Sequence, residues 1–392
     1  MKAMFVVFLK EVLENLRDRR TVTNALVMGP LLGPLLFTGL TSVMIQRELD
    51  KGEKPLEVPL IGSENAPNLV EFLKQHGVRP KPPIEAPEEK IRSQDAELAL
   101  RIPAGYGEAW RRGEPAQVEL LFDASQRESR ATVERLRGLL ESYGRQTGAL
   151  RLLARGLSPS VATPLVVADR DQSTPQSRSG LLFAMLPYFL ILSSFMGGMY
   201  LAIDTTAGER ERQSLEPLFA TPVARTHILN GKLGATFAFA MTSLALSLVA
   251  FGVAGQKFIP TEKLGMLLDF GPRFAFIALL VMVPLVLLAS TLQTLIAAFA
   301  KSYREAQTYL SLLMLLPMIP SAMLAVLPLK AQTWMYAVPL LGQHLTITRL
   351  VRGEAVNPAD VGLCLASGLA AAALTWLVTA QVYRSERLAI SG

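Results

Sequence analysis

The residues able to do chemistry are sparse in this chain, and where they gather they are charged rather than nucleophilic. Gly208 to Leu233 reads GERERQSLEPLFATPVARTHILNGKL, with Glu209, Arg210, Glu211, Arg212 and Glu216 in one knot. Carboxylates and guanidiniums at this spacing make ion pairs that fasten or dock protein surfaces. The constellations of other chemistries are missing. No G-x-x-x-x-G-K-[ST] phosphate loop, G-x-S-x-G elbow or H-E-x-x-H pair occurs, which argues against P-loop nucleotide binding, serine hydrolysis and zinc-peptidase chemistry. His76, His227 and His344 stand far apart in sequence, and Cys364 is the one cysteine. Neither a metal site nor an internal disulfide is therefore expected.

The elements around the knot are those of an integral membrane protein. Of 392 residues, 50% are hydrophobic and 18% charged, and mean hydropathy is +0.32. Six uncharged runs, Thr21–Gln46, Ser179–Ile203, Leu233–Gln256, Phe274–Ala300, Ala306–Leu329 and Val361–Tyr383, are each long enough to cross a ~30 Å hydrocarbon core at ~1.5 Å per residue. The net charge of +6 would suit nucleic acid only if it lay on a soluble surface. Residues 47–178 carry 20 Lys and Arg against 20 Asp and Glu, leaving 19 against 13 for the membrane portion. No nucleic-acid partner is expected. Basic residues cluster before the first run (Lys2, Lys10, Arg17, Arg19, Arg20), after the second (Arg210, Arg212, Arg225), after the fourth (Lys301, Arg304) and after the sixth (Arg384, Arg387). All four clusters share one side if both termini are cytoplasmic, at a bacterial inner membrane.

This topology predicts an all-α bundle of six transmembrane helices with an α/β domain, residues 47–178, inserted outside the cytoplasm between helices 1 and 2. In that domain EVPLIGSEN, AELALRIP and AQVELLFDAS read as strands. APNLVEFLKQHG, Tyr106–Arg112 and Ser129–Arg155 read as helices, and RPKPPIEAP as a surface loop. Residues 1–20 place Phe5, Phe8, Leu9, Val12, Leu13 and Leu16 at helical spacing. They read as an amphipathic helix on the cytoplasmic membrane surface, or alternatively as a plain extension of the first span. Lacking a small-residue cleavage site, they are not expected to be a cleaved signal. The pairs Gly29-Pro30 and Gly33-Pro34 should kink the first span. Residues 330–359 are expected to form an outer re-entrant or interfacial element with Trp334 and Tyr336 at headgroup level. Residues 360–384 are expected to form the sixth span and 385–392 a cytoplasmic tail.

Within residues 204–226, Asp204 should close the second span and Gly208 should break it. Glu209–Gln213 should then form a short helix, pairing Glu209 with Arg212 or Gln213, and Arg212 with Glu216. Such pairs contribute only ~0.2–0.5 kcal/mol each, too little to account for the density of charge. Thr221-Pro222 should start the helix leading into the third span. Leu215, Leu218 and Phe219 are expected as exposed hydrophobes inside a charged rim, which suits docking of a soluble partner. The plainer reading is a solvated loop whose charges anchor topology.

The stretch AIDTTAGERERQSLEPLFATPVARTHILNGKL resembles the cytoplasmic loop of the ABC-2 type permeases, sodium-efflux branch, with its GERE-x-x-[ST]-LE-x-L-x-x-[ST]-P-V pattern and later GK. FLKEVLENLRDRRTV is similar to that family's elbow helix, and VPLLGQHLTITRLVRGE fits its layout. The motif positions are held by Gly208, Glu209, Arg210, Glu211, Leu215, Glu216, Leu218, Pro222 and Lys232. Phe219 stands where leucine is commoner. The resemblance implies a type V ABC exporter-like bundle without a catalytic site or cofactor of its own. A separate ABC ATPase would hold ATP and Mg and would couple through Gly208–Arg212, Leu215, Glu216, Leu218 and Phe219. Partners would be that ATPase, a second permease copy in a homodimer, and membrane lipids. The protease-like module that some branches fuse at the C-terminus is not expected.

Cargo is less constrained. A sodium path needs oxygen ligands at membrane depth, and the six runs contain no internal carboxylate. Candidates for the translocation path are Ser193, Ser194, Ser290, Gln293, Thr294, Gln307 and Thr308, with Ser311 beside them. Such residues also serve as helix-packing contacts. An apolar cavity between two permeases would instead suit a lipid-like or drug-like molecule. From another class, a non-transporting scaffold or sensor would receive its ligand on residues 47–178.

Overall fold

The computed structural model describes residues 2–53, 55–126, 129–163, 165, 168, 170, 172–176, 183–258, 270–327 and 330–384. The chain divides into two units, Gln46–Asp171 and Met1–Ile45 with Gln172–Gly392. Helices dominate the second unit. Among the described residues, six are long and apolar enough to cross a bilayer: Arg19–Val43, Phe183–Glu211, Arg225–Lys257, Pro272–Phe299, Tyr303–Leu324 and Pro358–Arg384, numbered spans one to six.

Small residues set how closely these helices pack. A methyl group on Gly197 of span two would collide with Ser243 Cβ of span three, and one on Gly198 would lie 2.9 Å from Gln293 Oε1 of span four. In lipid, where apolar burial gives little drive for helices to associate, such close approach is a main source of adhesion. Gln293 Nε2 adds to it by donating to the Phe195 carbonyl at 2.7 Å. Phe37, Phe183, Phe189 and Phe251 form an aromatic layer across spans one to three, with ring centroids 5.0 to 6.4 Å apart. The first span passes through a π-helical turn, Thr23–Met28, before its Gly-Pro pairs. Gly33 there gives room to Phe189, whose Cδ1 would lie 2.8 Å from a methyl group.

Three boundaries differ from those expected. Span five is two helices, Tyr303–Leu313 and Met318–Val326. Pro317 and Pro320 lack the N–H groups that would carry the backbone ladder across the break. Span six starts at Pro358 and so includes Asp360, which is buried and 3.5 Å from Arg349. Span two runs on through Asp204 to Glu211. The carboxylates thus enter at helix ends that extend beyond the uncharged runs. Between spans five and six, helix Leu341–Val351 has 11 residues, about 16 Å, too short to cross the hydrocarbon core. Trp334 is exposed there, while Tyr336, expected beside it at the headgroups, is buried among Met335, Leu341, Leu345 and Cys364.

The N-terminal helix, Lys2–Arg17, has an inverted polarity. Glu11 and Asn15 are its buried residues, whereas Phe5, Val6, Leu9, Leu13 and Leu16 are exposed.

The other unit is a four-stranded sheet in the order β2-β1-β3-β4, where β1 is Leu56–Ile61, β2 Val78–Lys81, β3 Leu98–Arg101 and β4 Glu119–Phe122. β1 runs parallel to β2 and β3, and β4 antiparallel to β3. One sheet face, Leu56, Val58, Leu60, Leu98 and Leu100, packs on helices Pro67–Gln75 and Arg130–Ala154 through Leu69, Leu73, Val133 and Leu136. The proline-rich patch expected as a loop begins within β2 and leads into helix Pro87–Arg92. Its prolines are compatible with both: Pro80 sits on an edge strand, and Pro87 at a first helical turn needs no N–H.

Gly197→Ala is expected to lower detergent-solubilised thermal stability by about 1–3 kcal/mol through overpacking. Gly39→Ala, with nothing within 4 Å of the added carbon, should leave the melt unchanged; circular dichroism against temperature distinguishes the two.

Candidate functional site

Gly231 and Gly234 of span three let the N-terminal helix lie unusually close. A methyl group on Gly231 would be 2.7 Å from Val7 Cβ and 2.9 Å from the Met4 carbonyl, and one on Gly234 3.2 Å from Phe8 Cδ2. Lys232, between them, is 0% exposed. Its Nζ lies 2.6 Å from Glu209 Oε2 and 3.0 Å from Glu11 Oε1, and those carboxylates are themselves only 5% and 2% exposed. Charges this deep are stable only when paired and hydrogen-bonded.

Lys10 completes the array from the solvent side. Its ammonium bridges the same two carboxylates, 3.1 Å from Glu209 Oε1 and 3.2 Å from Glu11 Oε1, and reaches Glu14 at 3.4 Å. Partial burial pushes the Lys10 ammonium down, but Glu11, Glu209 and Glu14 outweigh it and hold its pKa above the ordinary lysine value. Two cations and two buried carboxylates thus balance where the N-terminal helix, span three and the end of span two meet.

The other charges of the knot reach outward to further helix ends. Arg210 Nη1 donates to the Ala300 carbonyl at 3.3 Å, just past span four. Glu211 Oε2 accepts from the Tyr303 N–H at 2.7 Å, at the first residue of span five. Arg212 Nη1 donates to Asp204 Oδ1 at 2.9 Å, and Arg225 Nη1 to the Arg384 carbonyl at 3.0 Å, at the end of span six. Arginines meet helix C-termini and the carboxylate meets an N-terminus, the signs the helix dipoles favour. One short segment is therefore fastened to the ends of spans two to six and to the N-terminal helix.

A sequence profile of the ABC-2 family transporter proteins matches residues 26–378. The chain belongs to the ABC-2 transporter family. It is 26% identical over 360 residues to the ABC transporter permease protein NatB of Bacillus subtilis (strain 168), covering 91% of each chain. As an ABC-2 permease it is a multi-pass membrane subunit of an ABC transporter.

The knot of this permease departs from the local pairing expected. Gly208 continues the helix at φ −65° inside a π-helical turn; its lack of a side chain matters because a methyl group would lie 3.0 Å from Asp204 Oδ1. Glu209 pairs with Lys232 and Lys10 rather than with Arg212 or Gln213, and Arg212 turns to Asp204 rather than Glu216. Gln213, at φ +56°, separates a turn of helix, Glu209–Glu211, from a second, Leu215–Phe219. Thr221 Oγ1 donates to the Leu218 carbonyl at 2.7 Å instead of capping, and the next helix starts at Arg225.

The expected exposed hydrophobic trio is also corrected. Leu215 is buried with Leu229, Leu233, Ala298, Ala380 and Tyr383, because its helical turn packs down onto spans three, four and six. Phe219 stands edge-on to Tyr383 at 6.2 Å, with the Arg225 guanidinium 5.1 Å from its ring centroid. Leu218 is partly exposed. The open surface comprises Glu211, Arg212, Gln213, Ser214, Glu216, Pro217, Ala220, Thr221 and Pro222.

The translocation candidates separate into two groups. Ser193, Ser194, Ser290, Gln293 and Thr294 are buried. Ser193 Oγ lies 3.2 Å from Ser243 Oγ; Ser194, Ser290 and Thr294 each donate to the carbonyl four residues back. Gln307 and Thr308 lie on the exposed side of span five. The histidines stay apart. His76 stacks on Phe72 at 4.0 Å, His227 begins span three, and His344 is buried with Nδ1 3.3 Å from Ser321 Oγ. Among the described residues no three His, Cys, Asp or Glu side chains are grouped to hold a metal. Lys10 and Glu11 were not singled out from sequence as site residues. Their signal was a carboxylate and an amide, Glu11 and Asn15, one turn apart on a helix otherwise rich in hydrophobes.

Glu209→Gln is expected to lower thermal stability by about 3 kcal/mol by leaving Lys232 under-paired, and the double variant with Lys232→Met should cost less than the sum of the singles. Lys10, whose folded pKa is raised, contributes stability in full below its free value of 10.5 and loses it only as pH rises through the folded value. The stability gap between wild type and Lys10→Met should accordingly stay constant through the neutral range and close in alkali, as melts at stepped pH would record.

Proposed function

We propose that this ABC-2 permease is the membrane subunit of an ATP-driven exporter, worked by a separate ATP-binding-cassette subunit that holds ATP and Mg and docks on the open surface of residues 211–222. The observation that carries this reading is the fastening of five span ends to one short segment. A push on that segment reaches spans two to six and the N-terminal helix, the requirement for rocking them between inward and outward openings. Glu216 and Pro217 at its tip point away from the packed side and are exposed. The topology follows from charge, with both termini cytoplasmic in a bacterial inner membrane and residues 47–178 outside. The exposed hydrophobes of Lys2–Arg17 suit the lipid interface. Span five exposes the Gln307 amide, a polar group that lipid covers poorly, beside Thr308 and Ser311, whose hydroxyls return to the Arg304 and Gln307 carbonyls. They suit a face turned to a second copy in a homodimer, or to the path between copies.

For cargo, the motif's resemblance to the sodium-efflux branch makes sodium the first choice. A lipid-like or drug-like substrate is the second, favoured by a cleft of about 450 Å³ lined by Met4, Leu233, Phe237, Leu287, Leu369 and Trp376. Tagged permease purified from its own membranes should bring an ABC ATPase with it. Glu216→Arg should lose most of that ATPase without changing the melting temperature, and unchanged recovery would remove the docking surface. Vesicles carrying the complex should accumulate labelled sodium only with ATP; equal ATP turnover in sodium and potassium buffers with no uptake would transfer the choice to an organic cargo.

A further inference from the structure

We infer that Lys232 is a positioning residue: held between Glu209 and Glu11, it joins the docking segment, span three and the N-terminal helix into one moving body, and Glu209 acts through it rather than by touching the ATPase. This rests on the exporter reading above. The geometry separates the two faces of the segment. Glu209 is 5% exposed and each of its oxygens is within 3.1 Å of a lysine ammonium. It has no face left for a partner, although it lies only two residues from exposed Glu211. Lys232 approaches its carboxylates from span three, 23 and 221 residues away in sequence, so the contact exists only while three separate segments keep their places. Gly231 and Gly234 hold the N-terminal helix at the distance at which the Lys232 side chain spans the gap.

A displaced Glu209 would strand Lys232 beside a single buried carboxylate, a state the low-dielectric surroundings penalise heavily. The segment therefore cannot travel alone. It carries span three by Lys232, and the N-terminal helix by Glu11 and Lys10. The arginine links to spans four and six are to backbone carbonyls, neutral acceptors whose loss costs less than a buried charge. Those links can exchange as the bundle rocks while the ionic joint stays closed.

The test uses the permease purified with its ATPase from native membranes, as wild type, Glu209→Gln, Lys232→Met, Glu11→Gln and the charge-balanced pair Glu11→Gln with Lys232→Met, which protects against loss of folding in the singles. Each variant should retain the ATPase in the wild-type ratio and keep the KM for ATP. The kcat of hydrolysis should fall by about tenfold, because the segment would then move without carrying span three and the N-terminal helix with it. Glu209→Gln and Lys232→Met combined should be no slower than either alone. ATPase lost from Glu209→Gln but kept by Lys232→Met would make Glu209 a partner contact and overturn the inference. An unchanged kcat in all variants, whatever their melting temperatures, would make the array purely structural and do the same. A wild-type preparation without any ATPase would overturn the exporter reading itself, and the inference with it.

Discussion

A buried ammonium survives in a folded protein only while carboxylates stay within hydrogen-bond reach, and Lys232 imposes that condition on three segments at once. Its two partners come from the N-terminal helix and from the end of span two, and Lys10 closes the array so that no net charge is left inside. The glycines on either side of Lys232 are part of the same constraint. Side chains there would hold the N-terminal helix away from span three, and the ion pair would open to water, where it would be worth little. Burial turns an ordinary salt bridge into a fixed joint.

The neighbouring charges obey a different rule. Arg210, Glu211 and Arg225 each meet a helix end of opposite partial charge, supplying a partner for backbone groups that the helices leave unsatisfied. A membrane bundle needs such closures where its helices emerge into the headgroup region. Concentrating them on one segment makes that segment a common anchor for spans two to six. This explains a density of charge that pairing along a single helix, at a few tenths of a kcal/mol per pair, leaves without a purpose.

Deeper in the bundle, adhesion comes from close approach and not from charge. Gly197, Gly198 and Gly33 bring backbones and rings together, and the hydroxyls of Ser194, Ser290 and Thr294 return to their own helices. Gln307, Thr308 and Ser311 are exposed on span five, which its two prolines also break. The bundle therefore has a well-knit core of spans two, three and four, and a less buried fifth span whose exposed polar groups distinguish it from the apolar surface of span six.

Much of the architecture was legible in the sequence because it depends on local order: long uncharged runs are membrane spans whatever surrounds them, and strand-like and amphipathic helical stretches mark the polar insertion, residues 47–178, as α/β. The motif Gly208–Glu216 likewise marked the charged link between spans two and three. Its side-chain partners were not legible. Glu209 and Arg212 look like an i, i+3 pair, yet one turns to a lysine 23 residues on and the other back to Asp204. Leu215 looks like an exposed anchor and is core. Sequence alone determined which residues are charged, where the long apolar helices run and where the charged link between two of them lies, since periodicity and hydropathy are properties of neighbouring residues. Only the tertiary structure decided that Glu209 faces inward, because an ion pair between residues 11, 209 and 232 depends on how closely three helices pack, and that is set by glycines on a helix far along the chain.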